Sequence, residues 1–497
     1  MTLPRARFDF LAEVPAAENL GRVHFVAIGG AGMSGVARIL LAKGIPVSGS
    51  DARESTLLHA LAAEGASVHV GHDAALVDEA DTVVISSAIR DTNPELRAAH
   101  AKGVPVLHRA QALAATMAGS RRVAIAGANG KTTTTSLLTV ALQACGVDPS
   151  FAVGGELAKH GTNAHLGTGD IFVVEADESD GSFLVYRPEV AVVTSVQPDH
   201  LDFYGDLATV EEAYRAFVGT IASGGLLVAC ADDPGARSLA DHTRGLGIRV
   251  LTYGESADAD VRVSAEMHRG LAWSALVTAD GVDHPLRLLV PGHHNVLNAT
   301  AAFAAATAGL GQPPEPVLAG LASFTGTRRR FEPKGRAAGV QVVDDYAHNA
   351  GKVAAVVATA GQLLQDTGPG RLVVVFQPHL YSRTRDFARE LGASLAAADV
   401  VVVMDVYAAR EDPQPGISGR LVAEAVRAAR SDAEVHYVPS WAAVPGFVAE
   451  LLRPGDLLVT VGAGDVTMIG PEVLLRLDQT DLGREFPTGN GSAEGDR

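Results

Sequence analysis

The sequence predicts an α/β protein of about three domains, and its length and its pattern of apolar runs carry this prediction. The 497 residues are 47% hydrophobic, which is ample for several cores at ~150 residues per domain. Short apolar runs alternate with alanine-rich amphipathic stretches, which indicates βαβ units and mostly parallel sheets. The expected strands include residues 23–28, 83–86, 123–126, 172–174, 190–194, 372–376, 400–404 and 457–461.

Composition argues against several classes of protein. Cys145 and Cys230 both lie in apolar surroundings, so no disulfide framework is indicated and a reducing cytoplasm fits. Residues 1–19 carry scattered charges and no sustained apolar core, unlike a signal peptide. No apolar stretch approaches the ~18 residues of a membrane span. The net charge of −17 argues against nucleic acid as a partner.

The first glycine-rich segment follows the first predicted strand and opens a helix. Gly30, Gly32 and Gly35 form a G-x-G-x-x-G pattern, and Asp51 ends the next predicted strand, 16 residues past the last glycine. This arrangement satisfies the dinucleotide fingerprint and favours NAD. A nucleotide-sugar diphosphate presents the same pyrophosphate to a helix N-terminus, and a tight turn for helix–sheet packing also uses glycines. The pattern alone leaves all three interpretations open.

A second glycine-rich loop stands between the strand at 123–126 and a predicted helix at 136–142. It consists of Gly127, Ala128, Asn129, Gly130, Lys131, Thr132 and Thr133. Backbone N–H groups of such a loop surround a phosphate, the lysine reaches the terminal phosphates, and the threonine offers a hydroxyl to Mg²⁺. Ile125 stands where the standard pattern has its first glycine. The loop predicts binding of a nucleoside triphosphate; a glycine turn with a solvated lysine is the alternative.

Acidic residues follow two further predicted strands. One cluster, residues 175–180, begins at Glu175, and a second, residues 199–205, contains His200. Carboxylates at the C-terminal ends of strands beside a phosphate loop are suited to hold Mg²⁺. Solvated acidic loops are the alternative, and His200 is either a metal ligand or a structural histidine.

Nine segments, in order over residues 20–475, together resemble the Mur ligase family. They are residues 29–35, 127–135, 175–180, 199–205, 291–299, 328–332, 344–348, 376–384 and 462–465. The resemblance implies an N-terminal Rossmann-like domain that binds a UDP-sugar (1–118) and a central P-loop ATPase-like α/β domain (119–324). It also implies a C-terminal Rossmann-like α/β domain (325–477). A polar tail at 478–497 is predicted to be disordered.

The resemblance also implies a reaction. ATP would phosphorylate the lactyl carboxylate of UDP-N-acetylmuramate, and L-alanine would attack the acyl phosphate to form an amide in peptidoglycan precursor synthesis. Oriented N–H groups and cations stabilise the moving phosphate charge in such reactions. The expected cofactors are ATP and Mg²⁺. We expect a cytoplasmic monomer or weak homodimer that is not inserted in a membrane.

By the same resemblance, the expected site residues fall into four groups. The UDP-sugar would be bound by Gly30, Gly32, Gly35 and Asp51. ATP would be bound by the second glycine loop, with Lys131 bridging the terminal phosphates, and by Asn295, Asn298, Arg330 and Asp345. Thr132 and Glu175 would hold one Mg²⁺, and His200 would help to bind a second. The amino acid would lie near His348, His379 and Arg383.

Three departures from the family pattern bear on specificity. Ala128-Asn129 stands where this branch usually has Thr-His, and asparagine there is similar to sister ligases. His348-Asn349-Ala350 replaces His-His-Pro near the expected amino-acid pocket. No lysine occurs between Lys159 and Lys334, so the carbamylated lysine of some sister ligases is impossible here.

Three alternative functions remain at this point. A recycling ligase, which adds a whole peptide to the same sugar acid, shares nearly every motif. An NAD-dependent oxidoreductase explains the first glycine loop but leaves the second loop and its acids without a role. A non-catalytic nucleotide-binding regulator has no need of His379, Arg383 or Glu175.

Overall fold

A computed structural model describes residues 7–157, 161–409 and 411–485 of the chain. The chain forms two compact units, Met1–His268 with Ala272–Arg328, and Arg269–Leu271 with Arg329–Arg497. Two β-sheets lie in the first unit and a third lies in the second. Among the described residues, no helix combines the length and the apolarity needed to cross a membrane.

The first sheet has five parallel strands in the order β3-β2-β1-β4-β5, as in a Rossmann-like fold. The strands are β1 Val23–Val26, β2 Val47–Asp51, β3 Ser67–Val70, β4 Thr82–Ile85 and β5 Val106–His108. The helices are α1 Ala31–Ala42, α2 Thr56–Ala63, α3 Pro94–Lys102 and α4 Arg109–Thr116. Strand β1 is shorter than predicted because Ala27, with a φ of 63°, turns the chain into the glycine loop.

The second sheet has ten strands in the order β15-β14-β13-β12-β11-β10-β6-β9-β7-β8. The strands are β6 Arg121–Ala126, β7 Ser150–Leu157, β8 Thr162–His165, β9 Ile171–Glu175, β10 Val190–Val193, β11 Leu226–Cys230, β12 Arg249–Gly254, β13 Val261–Arg269, β14 Ala272–Ala279 and β15 Val282–Leu288. The helices are α5 Lys131–Ala144, α6 Leu201–Tyr204, α7 Leu207–Val218, α8 Pro234–Gly245, α9 His293–Ala304 and α10 Pro314–Ala322. Its central strands β9, β6, β10 and β11 are parallel, as predicted, and their C-terminal ends carry the candidate site.

The third sheet has six strands in the order β16-β17-β21-β18-β19-β20, all parallel except β16. The strands are β16 Glu332–Ala337, β17 Val340–Asp345, β18 Leu372–Phe376, β19 Val400–Val403, β20 Glu434–Tyr437 and β21 Leu457–Val461. The helices are α11 Ala350–Thr367, α12 Tyr381–Leu395, α13 Arg420–Ala429, α14 Val444–Leu451 and α15 Ile469–Glu485.

Helix α15 corrects the predicted start of the polar tail at Asp478. The helix continues to Glu485, because Leu474 and Leu477 anchor it on the apolar core of this sheet and no proline interrupts residues 478–485. The rest of the predicted tail, residues 486–497, lies outside the described residues.

Candidate active site

The loop between β6 and α5 owes its shape to two glycines. Gly127 and Gly130 have φ angles of 136° and 81°, which favour glycine. A Cβ on Gly127 would lie 2.0 Å from Thr194 Oγ1, and one on Gly130 would lie 2.4 Å from Asn298 Oδ1. The loop therefore packs against the end of β10 and against α9. Helix α5 begins at Lys131, earlier than predicted, and the N–H groups of its first turn favour an anion.

Lys131 is not the solvated lysine of the alternative interpretation. Its ammonium group donates to Gly127 O at 2.6 Å and to Glu178 Oε1 at 2.8 Å, and Glu178 Oε2 lies 2.7 Å away. Side-chain exposure is 13% for Lys131 and 3% for Glu178. Burial opposes the charge of Lys131, but the carboxylates of Glu178, Asp177 and Glu175 outweigh it and raise the lysine pKa. The lysine therefore stays charged inside the protein.

Thr132 and Glu175 form the pair expected to hold Mg²⁺. Thr132 Oγ1 donates to Glu175 Oε1 at 3.0 Å, and Gly154 N donates to Glu175 Oε2 at 2.6 Å. Glu175 is the last residue of β9, and Thr132 is the second residue of α5. A hydroxyl and a carboxylate are oxygen ligands that suit Mg²⁺, so the donor set fits this ion.

His200 lies beside the same group. Its Nε2 is 4.0 Å from Glu178 Oε1 and 3.8 Å from Asp199 Oδ1. The residue has a φ of 53°, an uncommon conformation for a residue with a side chain. The turn after β10 thus directs the imidazole toward the carboxylate that also pairs with Lys131.

Two other residues of the loop also contact this turn. Ala128 N donates to Ser195 O at 3.2 Å, and the Asn129 side-chain amide donates to Gln197 at 3.1 Å. Asn129, which departs from the pattern of its branch, therefore has a polar partner in this chain.

Residues 175–180, here called the acid loop, are also held by the N-terminal segment. Arg109 donates to Asp177 Oδ2 at 2.8 Å, and Ser87 and His108 contact Asp180. Burial would raise the pKa of Asp177, but the positive charges of Arg109 and Lys131 outweigh it and the pKa is lowered. Sequence reasoning did not single out Ser87, His108 or Arg109, because no short motif marks contacts between segments so far apart along the chain.

Asp51 stabilises the first glycine loop, because its Oδ2 accepts a hydrogen bond from Gly29 N at 2.9 Å. Gly30 is the N-cap of α1. A Cβ on Gly32 would lie 3.3 Å from Arg109 Nη1, and one on Gly35 would lie 3.1 Å from the Ala164 Cβ of β8. Gly35 therefore allows α1 to pack closely against β8. Gly32 lies at the N-terminus of α1, where the helix faces the guanidinium group of Arg109.

Asn295 and Asn298 connect α9 to the start of α5. Asn298 Oδ1 accepts from Thr134 Oγ1 at 3.2 Å, and its Nδ2 donates to Asn295 Oδ1 at 3.2 Å. Asn295 donates in turn to Pro291 O at 2.6 Å. Both side chains are buried, so their hydrogen bonds hold α9 against the start of α5.

In the second unit, Asp345 organises the turn at Arg330. Asp345 Oδ2 accepts from Phe331 N at 2.8 Å, and Oδ1 accepts from Ala347 N at 2.7 Å. Burial raises the pKa of Asp345, although Arg330 and the two N–H groups favour its charged form. Arg330 lies over the ring of Tyr346, 5.3 Å from its centroid.

His348, His379 and Arg383 come together in this unit. The rings of His348 and His379 are 5.7 Å apart, and His348 Nδ1 lies 2.9 Å from Tyr346 O. Burial lowers the pKa of His348 well below its ordinary value, and the positive charges of Lys352 and Arg383 lower it further. Asn349 caps α11 by accepting from Lys352 N at 2.9 Å, which gives the departure at this position a local structural reason.

Comparison with known proteins assigns the chain to a class. Residues 22–121 match the model of the Mur ligase family catalytic domain, residues 125–306 the Mur ligase middle domain, and residues 329–464 the Mur ligase glutamate ligase domain. The chain therefore belongs to the Mur ligase family, and the predicted resemblance is confirmed.

Individual relatives narrow this class. The UDP-N-acetylmuramate–L-alanine ligase of Kineococcus radiotolerans is 55% identical over 93% of this chain and 98% of its own length. The enzyme of the same name from Mycolicibacterium smegmatis is 53% identical over 93% of this chain and 96% of its own. The crystal structure of UDP-N-acetylmuramate–alanine ligase from Thermotoga maritima matches with a TM-score of 0.77 and 28% identity, over 92% of this chain and 99% of that one.

Proposed function

We propose that this chain joins L-alanine to the lactyl carboxylate of UDP-N-acetylmuramate in an ATP-dependent reaction with an acyl-phosphate intermediate. Relatives of that name cover more than nine-tenths of the chain at 50–55% identity. The observation that carries the proposal is the 3.0 Å contact of the Thr132 hydroxyl with Glu175 beside the buried ammonium group of Lys131. A nucleotide-dependent ligase uses this arrangement, whereas an oxidoreductase has no role for it.

The reaction explains why a buried cation is needed. A carboxylate is a poor electrophile because its oxygen cannot leave, and phosphorylation provides a leaving group that an amine can displace. Lys131 stabilises the negative charge on the transferred phosphoryl group, and the N–H groups at the start of α5 orient it. Mg²⁺, when bound, would neutralise the phosphates. Thr132 and Glu175 are the residues that would hold one ion, and His200 would help to hold a second.

The second unit offers groups for the amino acid. The guanidinium of Arg383 would pair with its α-carboxylate. His348 stays neutral at pH 7, because its pKa is lowered, and a neutral imidazole does not repel the ammonium group of the incoming amine. Arg330 and Asp345 are proposed to contact ATP.

The test is phosphate release from ATP in the presence of UDP-N-acetylmuramate and one amine at a time. L-alanine, glycine, L-serine and an L-Ala-γ-D-Glu-diaminopimelate tripeptide are compared, and the product is identified by mass spectrometry. L-alanine should give the highest kcat/KM. A higher value with the tripeptide would identify a recycling ligase, and NADH binding without UDP-sugar binding would indicate an oxidoreductase. The cytoplasmic location and the monomer or weak homodimer stay predictions.

A further inference from the structure

Arg109 lies between the first glycine loop and the acid loop of the first unit. Its Nη2 donates to Asp177 Oδ2 at 2.8 Å on the side of the acid loop. On the other side, its Nη1 is 3.3 Å from the position of a Cβ on Gly32, at the start of α1. About a fifth of the Arg109 side chain and a third of that of Asp177 remain exposed. A ligand at the start of α1 can therefore reach this guanidinium group.

Local helix stability does not explain this arginine. Arg109 is the first residue of α4, where the helix dipole disfavours a positive charge. Nor is the pair needed to join the two segments, because Ser87 and His108 already connect the N-terminal segment to Asp180 of the acid loop. The position places a cation where the dipole of α1 favours an anion.

We propose that Arg109 is a substrate-binding residue that exchanges partners: it pairs with Asp177 in the free protein and with an oxyanion of the UDP-sugar in the complex. This inference rests on the proposed function, since the first glycine loop must receive the UDP-sugar. The oxyanion belongs either to the diphosphate or to the lactyl carboxylate. The exchange also releases Asp177, two residues after Glu175, so occupation of one loop changes the charge balance beside the other.

The exchange of partners predicts that substitutions of Arg109 and Asp177 have opposite effects on the affinity for the UDP-sugar. Arg109→Ala removes a charge-assisted hydrogen bond to the ligand and should weaken UDP-N-acetylmuramate binding about 10- to 100-fold. Asp177→Asn removes the competitor for the guanidinium and should strengthen binding of the same ligand about threefold or more. If the pair only holds the two segments together, both substitutions should weaken binding.

Isothermal calorimetry without ATP measures these affinities for the full-length protein and the two variants. Arg121→Ala is the matched control, because Arg121 pairs with Glu189 at 2.7 Å at the opposite end of β6 from the loop. The affinity of Arg121→Ala for UDP-N-acetylmuramate should stay within about twofold of wild type. Thermal unfolding establishes that each variant is folded. If Arg109→Ala does not fold, the sign of the effect of Asp177→Asn decides the question.

A second ligand identifies the oxyanion. UDP-N-acetylglucosamine has the diphosphate but lacks the lactyl carboxylate. Equal losses for both UDP-sugars in Arg109→Ala would assign the diphosphate, and a loss confined to UDP-N-acetylmuramate would assign the carboxylate. Unchanged affinity in Arg109→Ala, or weaker binding by Asp177→Asn, would overturn the exchange. A wild-type protein that binds no UDP-N-acetylmuramate would instead overturn the proposed function.

Discussion

The ammonium group of Lys131 lies 2.7 Å from Glu178 Oε2, inside the protein and at the start of α5. The carboxylate thus lies beside the ammonium group that we expect to contact the terminal phosphates of ATP. A buried lysine without a partner would lose its charge or cost stability. Glu178 therefore keeps Lys131 charged inside the protein, and we expect a bound phosphate to replace this carboxylate as the partner of the lysine.

Lys131→Ala should abolish ATP-dependent phosphate release and also destabilise the fold. Loss of one partner of a buried ion pair leaves Glu178 unpaired and costs about 3 kcal/mol. The double substitution Lys131→Ala/Glu178→Ala should recover part of that stability while activity stays absent. Single-turnover assays and chemical denaturation measure the two effects, with Lys43→Ala, at a partly exposed pair with Glu18, as control. Turnover close to wild type would refute the role of this lysine.

Glu175→Ala should raise the Mg²⁺ concentration needed for ATP binding by at least about tenfold. The substitution removes the carboxylate that faces Thr132 at 3.0 Å. Calorimetric titrations of ATP over a range of Mg²⁺ concentrations test this, with Glu189→Ala as the matched control. An unchanged Mg²⁺ dependence would show that the metal is held elsewhere.

The glycine loops and the central strands were predictable because each depends on neighbouring residues. The loop requires positive φ angles at Gly127 and Gly130, and the glycines at these positions mark it in the sequence. The wholly buried β10 appears in the sequence as a continuous apolar run. The antiparallel hairpin of β14 and β15 was not predicted. Its buried positions alternate with partly exposed ones around Trp273 and Val277, a pattern unlike the continuous runs on which the prediction depended.

The charged partners within the site were harder to predict. Glu178 stood in a predicted acidic cluster, but the sequence did not distinguish it from Glu175 as the partner of Lys131. The pairing of Arg109 with Asp177 joins residues 68 positions apart and depends on how two sheets pack. Such contacts follow from tertiary structure and leave no short sequence motif.

The stability of the first unit should depend on His294 below neutral pH. Burial, helped by the neighbouring His293, lowers the pKa of His294 to about 4 from 6.5. Between these values the unfolded chain binds more protons than the folded one, so stability falls as the pH decreases. The expected loss from this residue between pH 7 and pH 5 is about 2 kcal/mol. Chemical denaturation should show a shallower pH dependence in His294→Gln, and equal slopes would contradict the assignment.

Recognition of L-alanine should depend on charge pairing and on exclusion of bulk. One methyl group contributes only about 1 kcal/mol, so glycine should be a measurable substrate, about fivefold poorer in kcat/KM. L-serine should be weak, because a pocket shaped for a methyl group leaves its hydroxyl without a partner. The segment His348-Asn349-Ala350 is where this chain departs from its family, and side-by-side kinetics with larger amino acids test its effect.

The substitution Arg383→Ala should impair binding of the amino acid but not formation of the acyl phosphate. The guanidinium lies near enough to His348 to lower the pKa of that histidine, and we expect it to bind the α-carboxylate of the incoming amine. Its loss should raise the KM for L-alanine about 10-fold or more, while hydroxylamine trapping still detects the acyl phosphate, because phosphorylation of the sugar acid comes first. Arg389→Ala, an exposed arginine on the same helix α12, is the control and should leave KM unchanged. A fall in acyl-phosphate formation equal to the fall in overall turnover would instead place Arg383 at the ATP-dependent step.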